Sequence, residues 1–349
     1  MTNRIGVTAL WVALAMPAAA SASLSQLSSL FVFGDSLSDG GNSGLASQAY
    51  AGPGAVFPPP PYIGGRYSNG RVAVEYLWNR FNPGDASFKP SLAGGTNYAI
   101  GGATTGSASY NTITNTVPNE LKPAYQDKSN AWELAAFASQ APVFDPASSL
   151  FVVWLFPNDV FYANDTASLP GAVPGSPGGP NVVANGLANI QTTIQTLAQA
   201  GARNFLVPNM PDLGIIPAFL GSPAAPALST LTGIFNGQLQ LLLDGLDQAL
   251  PGVDIVQFDT AGLFERIAAD PTAYGFDVAD KSCLANLANQ QCDPSTWVFW
   301  DSVHMTTSAH QVLAGQWQAA LVPEPPTYIM VVLGLGLAGA MVRRRRPGA

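Results

Sequence analysis

Short apolar runs alternate with longer amphipathic stretches through the middle of this chain, and this alternation limits the possible fold more than any other feature. The runs have the length of β-strands and are bounded by turn residues. They lie at Leu30–Phe33, Leu150–Leu155, Phe205–Val207 and Ile255–Phe258, with a weaker candidate at Asn97–Ile100. Helical spacing covers Val182–Ala200, which ends at Gly201, and Leu228–Leu250. Strands that alternate with helices are typical of a helix-covered parallel sheet, so we expect an α/β fold with about five parallel strands.

A stretch rich in proline and glycine, Ala163–Pro180, interrupts this pattern. Its four prolines make it too rich in helix breakers to form an element, and we predict a surface loop. A linker between two domains is the alternative, but the strand and helix pattern resumes directly afterwards without a second core signature. Roughly 300 residues lie between the two chain ends, which suffices for one large α/β domain or two small ones. We expect one domain over residues 23–322.

The start of the chain has the pattern of a secretory signal peptide over residues 1–22. Arg4 supplies the positive charge, Val7–Met16 is almost entirely apolar, and the small residues up to Ala22 suit cleavage after that position. A membrane anchor is the alternative, but the apolar run is far shorter than the roughly 20 residues that span a bilayer. The sequence therefore predicts an exported protein.

The end of the chain, residues 323–349, has three parts of different chemistry. The sequence Val322-Pro323-Glu324-Pro325 precedes the apolar run Tyr328–Val342, and four arginines follow, Arg343–Arg346. The run is marginal for a transmembrane helix, and arginines beyond it would keep that end in the cytoplasm. This order resembles the PEP-CTERM sorting tail of bacterial surface proteins.

That resemblance implies processing by an exosortase, transient anchoring in the inner membrane and delivery to the cell surface or its polysaccharide matrix. A plain C-terminal membrane anchor is the alternative.

The charge of the chain argues against nucleic-acid binding. Its net charge is −8 at pH 7, only 10% of its residues are charged, and four of its arginines stand in the tail. No basic patch therefore remains to neutralise a phosphate backbone.

The chain has two cysteines, Cys283 and Cys292, which lie close together in the sequence. An exported protein meets an oxidising environment, so we predict a disulfide between them. A metal site would need more ligands than these cysteines and the two histidines of the chain easily supply. We expect no metal.

A serine follows the first predicted strand directly, in the sequence Gly34-Asp35-Ser36-Leu37. Open parallel sheets bind ligands at the carboxyl ends of their strands, where Ser36 would lie. Serines beside glycines also occur in turns and helix N-caps for structural reasons. Ser36 is our candidate nucleophile.

A base for this serine is expected near the other end of the chain, because a serine hydroxyl is a poor nucleophile at neutral pH. The only histidines are His304 and His310, and Asp301 precedes the first by three residues. At that spacing the carboxylate can orient the imidazole and stabilise its protonated form. His310 falls on a different part of the helix that follows. We predict an Asp301–His304 base and regard His310 as a bystander.

Two segments are candidates for an oxyanion hole, which stabilises the negative charge that develops during acyl transfer. One is Asn97–Thr104, whose glycines let backbone N–H groups approach a ligand, and the other is Asn158-Asp159, just after the strand Leu150–Leu155. Glycines in turns and an Asx-turn are the structural alternatives.

In this order, the four segments resemble the GDSL (SGNH) hydrolase family, a group of lipases and esterases with a three-layer α/β/α, flavodoxin-like fold. The resemblance implies Ser36 as the nucleophile and His304 as the base that Asp301 orients. It implies an oxyanion hole made by the N–H groups of Ser36 and Gly102 and by the Asn158 amide. No GxSxG motif occurs, which argues against the ordinary α/β-hydrolase arrangement.

The resemblance extends from about Leu30 to Gly315, with two departures. Phe156 stands where the family usually has glycine, and Met305 replaces a proline that often follows the histidine. Neither removes a catalytic group. Phe156 is expected to narrow the pocket or to change the backbone before Asn158.

We therefore expect a secreted or surface-sorted serine hydrolase that cleaves carboxylic esters, including lipids, through an acyl-enzyme and without a cofactor. A carbohydrate acetylesterase acting on surface polysaccharide is one alternative. The other is a non-catalytic matrix or adhesion protein that keeps the fold, but such a protein has no need of Ser36, Asp301 and His304 together.

Overall fold

The computed structural model describes Leu24 and residues 26–322, so the predicted signal peptide and the predicted tail lie outside the described part of the chain. A sheet of four parallel strands occupies its centre, in the order β1-β2-β3-β4. The strands are β1 (Ser29–Gly34), β2 (Ser149–Trp154), β3 (Asn204–Pro208) and β4 (Asp254–Phe258). The predicted α/β fold with a parallel sheet is confirmed.

The weaker fifth strand predicted at Asn97–Ile100 forms only a partial strand. Asn97 bridges to Val32 in parallel, and Tyr98 N donates to the carbonyl of Val32 at 2.8 Å while Ile100 N donates to Gly34 at 3.1 Å. The segment therefore follows the free edge of β1 but turns away at Gly101. The Gly101 N–H donates to the side chain of Asp39 instead of to a strand.

Two further strands, β5 (Val278–Ser282) and β6 (Trp297–Phe299), pair in a separate small sheet. In the described residues the helices are α1 (Asn42–Ala51), α2 (Ala73–Phe81), α3 (Asn130–Gln140), α4 (Pro157–Thr166), α5 (Val182–Gln199), α6 (Ala225–Ala249), α7 (Thr260–Ala269), α8 (Cys283–Leu287) and α9 (Thr307–Leu321).

Strand β2 shows why the sheet is covered on both faces. Its side chains point alternately to opposite faces. Phe151 meets the ring of Phe137 on α3 at 6.1 Å, whereas Trp154 meets Trp317 on α9 at 5.4 Å. All six residues of β2 are buried, as expected for a strand between two helical layers. The result is the three-layer α/β/α arrangement.

The predicted helix boundaries need two corrections. Helix α4 continues to Thr166, so the loop predicted over Ala163–Pro180 begins later, because its breakers start only after that residue. Helix α6 begins at Ala225 instead of Leu228, with Pro226 in its first turn. Proline is tolerated there because the first N–H groups of a helix have no partner within it.

The two ends of the described chain meet at the amino end of the sheet. Leu24 N donates to the carbonyl of Leu321, the last residue of α9, at 3.2 Å. None of the helices within residues 26–322 is long and apolar enough to cross a membrane. The apolar run predicted to span the membrane, Tyr328–Val342, lies outside the described residues.

Candidate active site

The turn that carries Ser36 comes directly after β1. Ser38 N donates to the carbonyl of Asp35 at 3.1 Å, and Leu37 N donates to Oδ1 of Asp35 at 2.9 Å. These bonds close a tight turn that presents the Ser36 side chain at the carboxyl edge of the sheet, where it is 9% exposed.

The predicted base lies in a loop between β6 and α9. Trp300 N donates to the carbonyl of His304 at 2.8 Å, which closes the loop. Within it, Oδ1 of Asp301 accepts the N–H groups of Val303 and His304, both at 2.7 Å. The carboxylate therefore holds the backbone that carries the histidine as well as its ring.

The structure brings Ser36, His304 and Asp301 together, although Ser36 lies 268 residues from the histidine. Ser36 Oγ is 2.8 Å from Nε2 of His304, and Nδ1 of the same ring is 2.7 Å from Oδ2 of Asp301. Burial alone would raise the pKa of Asp301, but the charge of His304 and hydrogen bonds from the ring and backbone outweigh it and lower that pKa. A carboxylate that stays charged can stabilise the imidazolium that forms when a serine proton is taken up.

The second histidine has a different environment. His310 is buried, and its Nδ1 accepts the N–H of Ala73 at the start of α2 at 3.2 Å. Burial lowers the pKa of His310 to about 3, so its ring is neutral at physiological pH. It contacts α2 and does not line the cavity on which Ser36 lies, as expected from its position on the helix.

The predicted oxyanion donors surround the same space. Gly102 has φ +78°, and a Cβ there would lie 2.5 Å from Asn111, so glycine is required. Among the described residues no protein acceptor takes the N–H of Ser36 or Gly102. Nδ2 of Asn158 donates to the carbonyl of Ala103 at 3.1 Å, which leaves its second hydrogen for a ligand.

A buried carboxylate that the sequence did not single out joins the serine turn to the glycine segment. Asp39 accepts the N–H groups of Gly41, Asn42 and Ser43 and that of Gly101, the last at 2.9 Å. Burial raises the pKa of Asp39 above its ordinary value, and hydrogen bonds from Ser43, Gly41 and Gly101 oppose this. The sequence offered one signal, an aspartate three residues after the serine, but gave no indication of its partners.

Three other carboxyl groups near the serine turn are buried. Burial raises the pKa of Asp35 and of Asp159 from 3.8 to about 7, and raises that of Glu133 well above its ordinary value. Oε2 of Glu133 accepts the N–H of Gly34 at 3.1 Å, and Asp159 accepts both the N–H and the hydroxyl of Thr105. Glu133 thus supports the backbone just before Ser36, and Asp159 supports the backbone just after the Gly102 segment.

Of the two effects expected of Phe156, the narrowing of the pocket is wrong. Its φ of +120° is one that glycine adopts readily and that other residues rarely adopt. The side chain is fully buried and stacks on Phe235 of α6, with ring centroids 3.6 Å apart. It points into the core and does not line the cavity beside Ser36. The Asn158 amide lies on that cavity regardless.

The cavity beside Ser36 has a volume of about 210 Å³. Ser36, Gly102, Asn158 and His304 lie on it. Its apolar wall comes mainly from Leu37, Phe161, Leu213, Ile216, Phe219 and Val303. Its more polar wall comes from Tyr67, Tyr110, Asn111, Thr114 and Thr116. The arrangement can therefore hold an apolar group next to a hydroxyl that is paired with an imidazole.

The cysteine pair lies next to the base loop. Cys283 and Cys292 are joined in a disulfide, with Cα atoms 5.2 Å apart. Cys283 is buried in a small apolar cluster with Trp297 and Trp300, the residue before Asp301. The disulfide therefore belongs to the same local unit as the base.

Comparison with known proteins extends over most of the chain. The family model described as GDSL-like Lipase/Acylhydrolase matches residues 30–317, and the PEP-CTERM protein-sorting motif matches residues 321–346. A GDSL esterase/lipase of Arabidopsis thaliana is 26% identical over 83% of this chain and 86% of its own length.

Two bacterial relatives are longer than this chain. An uncharacterized protein from the trpE-trpG intergenic region of Pseudomonas putida is 28% identical, and the match covers 86% of this chain but 51% of that protein. A thermolabile hemolysin of Vibrio parahaemolyticus is 27% identical, over 83% of this chain and 62% of that protein. With four motif segments in order and a family match over most of its length, this chain belongs to the GDSL-like lipase/acylhydrolase family.

Proposed function

We propose that this protein is a surface-sorted serine hydrolase that cleaves carboxylic esters through an acyl-enzyme on Ser36. The observation that carries the proposal is the continuous contact from Ser36 Oγ through His304 to Asp301, at 2.8 and 2.7 Å, beside an apolar cavity. A serine within hydrogen-bonding distance of an oriented imidazole is the arrangement that makes a hydroxyl nucleophilic.

In the proposed mechanism, Ser36 Oγ bonds to the ester carbonyl carbon while its proton passes to Nε2 of His304. The carbonyl oxygen becomes negative and accepts hydrogen bonds from the N–H groups of Ser36 and Gly102 and from the Asn158 amide. The tetrahedral intermediate then expels the alcohol oxygen, which takes the proton from His304. Water repeats these steps on the acyl-enzyme, releases the carboxylic acid and restores Ser36.

The cavity favours an acyl chain longer than acetyl. Its volume of about 210 Å³ leaves room for more than an acetyl group. Apolar side chains such as Leu213, Ile216 and Phe219 line it, and burying a methylene group contributes about 0.8 kcal/mol. We therefore propose lipids or other medium-chain esters as substrates; the esterase/lipase name of the Arabidopsis relative supports an ester substrate in general.

The sorting motif supports a location outside the cell. We propose that an exosortase-type enzyme processes the tail after transient anchoring in the inner membrane, and that the domain reaches the surface or the surrounding polysaccharide. The same motif favours one second candidate, a carbohydrate acetylesterase acting on surface polysaccharide. Its substrate would present an acetyl group to the same Ser36.

A substrate panel separates these functions. The purified domain is assayed with p-nitrophenyl acetate, butyrate and octanoate, a phospholipid and an acetylated polysaccharide, with Ser36→Ala as the control. We expect the highest kcat/KM on butyrate or octanoate and a loss of at least about 10,000-fold in Ser36→Ala. A preference for acetylated polysaccharide would favour the acetylesterase, and a wild type without any ester hydrolysis would favour a non-catalytic matrix or adhesion protein.

A further inference from the structure

A segment far from the base in sequence follows the base loop in space. Residues 62–69 contact residues 301–307 in the same chain order, and we call residues 62–69 the clamp segment. Four contacts connect the two: the Tyr62 hydroxyl with Asp301 at 2.7 Å, the Tyr67 and His304 rings with centroids 5.0 Å apart, the Ser68 hydroxyl with the Met305 carbonyl at 2.9 Å, and Thr307 N with Asn69 Oδ1 at 2.8 Å.

The first of these contacts reaches the carboxylate of the base directly. The Tyr62 hydroxyl donates to Oδ2 of Asp301, the oxygen that also contacts Nδ1 of His304. Oδ1 of the same carboxylate accepts two backbone N–H groups of its own loop. Donors on both oxygens resist rotation of the carboxylate, and Tyr62 is the donor that comes from a different part of the chain.

Tyr62 is itself held in place. Its ring packs edge-to-face against Trp300, with centroids 6.0 Å apart and an interplanar angle of 87°. Burial, together with the negative charge of Asp301, raises the pKa of Tyr62. The phenol therefore stays protonated and keeps its hydrogen for the carboxylate. Tyr62 does not line the cavity beside Ser36, so it has no direct contact with a substrate there.

We propose that Tyr62 is a positioning residue that acts through Asp301, holding the carboxylate against the ring of His304. The proposal rests on the proposed serine hydrolase function, because it assigns Tyr62 to the base of that mechanism. The four contacts of the clamp segment carry it, since they align a whole stretch of chain with the base loop.

The first test is Tyr62→Phe, which keeps the ring and removes only the donor. Because the charged carboxylate of Asp301 loses a hydrogen-bond donor, we expect kcat to fall about 10-fold or more. Since Tyr62 lies off the cavity, KM should change by less than about twofold. The matched control is Tyr76→Phe, whose hydroxyl bonds Thr307 Oγ1 at 2.8 Å on the same side of the molecule and makes no contact with the base. It should keep kcat within about twofold of wild type.

A double-mutant cycle then shows whether Tyr62 acts through the carboxylate. In an Asp301→Ala background, Tyr62→Phe should cause no further loss of kcat. An equal loss in both backgrounds, an unchanged kcat in the single variant, or a Tyr62→Phe protein that does not fold would overturn the proposal. These outcomes differ from a failure of the proposed function, in which the wild type itself would show no Ser36-dependent ester hydrolysis.

Discussion

Ser36 follows a strand in the main sheet, whereas Asp301 and His304 follow β6 in the two-stranded sheet. We call residues 34–43 and 97–105 the nucleophile region, and residues 278–307 with the clamp segment the base region. The nucleophile region is held by backbone bonds to β1 and by the Asp39 carboxylate. The base region depends on a disulfide, an apolar cluster and side-chain hydrogen bonds.

The two regions also differ in the direction in which the pKa values of their buried acids are shifted. Burial raises the pKa values of Asp35 and Asp39 beside the serine, whereas the pKa of Asp301 is lowered because its hydrogen bonds and the charge of His304 outweigh burial. The nucleophile region thus contains buried acids whose pKa values are raised, and the base region contains a carboxylate whose pKa is lowered. We therefore expect changes in the base region to affect activity more than they affect folding.

The largest expected effect distinguishes the two histidines, one of which should matter for catalysis and the other for stability. His304→Ala should lower kcat by about 10,000-fold or more, because Ser36 loses its base. His310→Ala should keep most of kcat and instead reduce the free energy of unfolding by roughly 1–3 kcal/mol, because the Ala73 N–H loses its acceptor. Ester hydrolysis and urea unfolding of both variants check this. If His310→Ala lost activity while remaining folded and His304→Ala did not, the assignment of the base would be wrong.

The next effect concerns pH and the buried acids. Asp35 and Asp159 have folded-state pKa values of about 7 against an ordinary 3.8, so the folded protein binds more protons than the unfolded chain between these values. Their contribution to stability is complete below about pH 4 and is lost as pH rises to about 7, with a slope of roughly 1.4 kcal/mol per pH unit for each group. The contribution of Asp301 has the opposite sign and is lost only when pH falls below that window.

Urea unfolding at several pH values between 4.5 and 7.5 measures this slope. Asp159→Asn should reduce the slope of stability against pH by the contribution of one carboxyl group. The control Asp165→Asn changes an exposed carboxylate and should leave the slope unchanged. Stability that rises with pH across the window would contradict the uncharged state assigned to these acids.

The smallest effect tests the base region alone. Replacing Cys283 and Cys292 by serine should lower the free energy of unfolding by about 2.5 kcal/mol, as expected for so short a loop. It should also lower kcat severalfold, because the apolar cluster that contains Cys283 and Trp300 would pack less tightly. Circular dichroism should show the main sheet unchanged. If stability fell and kcat did not, the base loop would not depend on the disulfide.

Local sequence patterns predicted the four strands of the main sheet, the two longest helices and the residues around Ser36 and His304, because strand ends and short spacings are local properties. They did not predict β5 or β6. The contact between Tyr62 and Asp301 could not be predicted in this way, since 239 residues separate them and no periodicity connects them. Only the packing of the clamp segment against the base loop creates it.

Phe156 shows a second limit. The sequence revealed that it replaces a family glycine, but not that its side chain turns away from the cavity and stacks on Phe235. Backbone angle and side-chain direction at one position depend on a partner from α6 that lies far along the chain. The same holds for residues 97–100, whose pairing stops because Gly101 N bonds Asp39.

The bond between Leu24 and Leu321 has a consequence for how the domain is displayed. Helix α9 starts just after His304 and has 15 residues, so its axis is about 22 Å long. The chain therefore leaves the domain about 22 Å from the catalytic opening and at the opposite end of the sheet. If the chain beyond Val322 attaches the molecule to a membrane, as proposed above, the catalytic opening lies on the side of the domain away from that attachment.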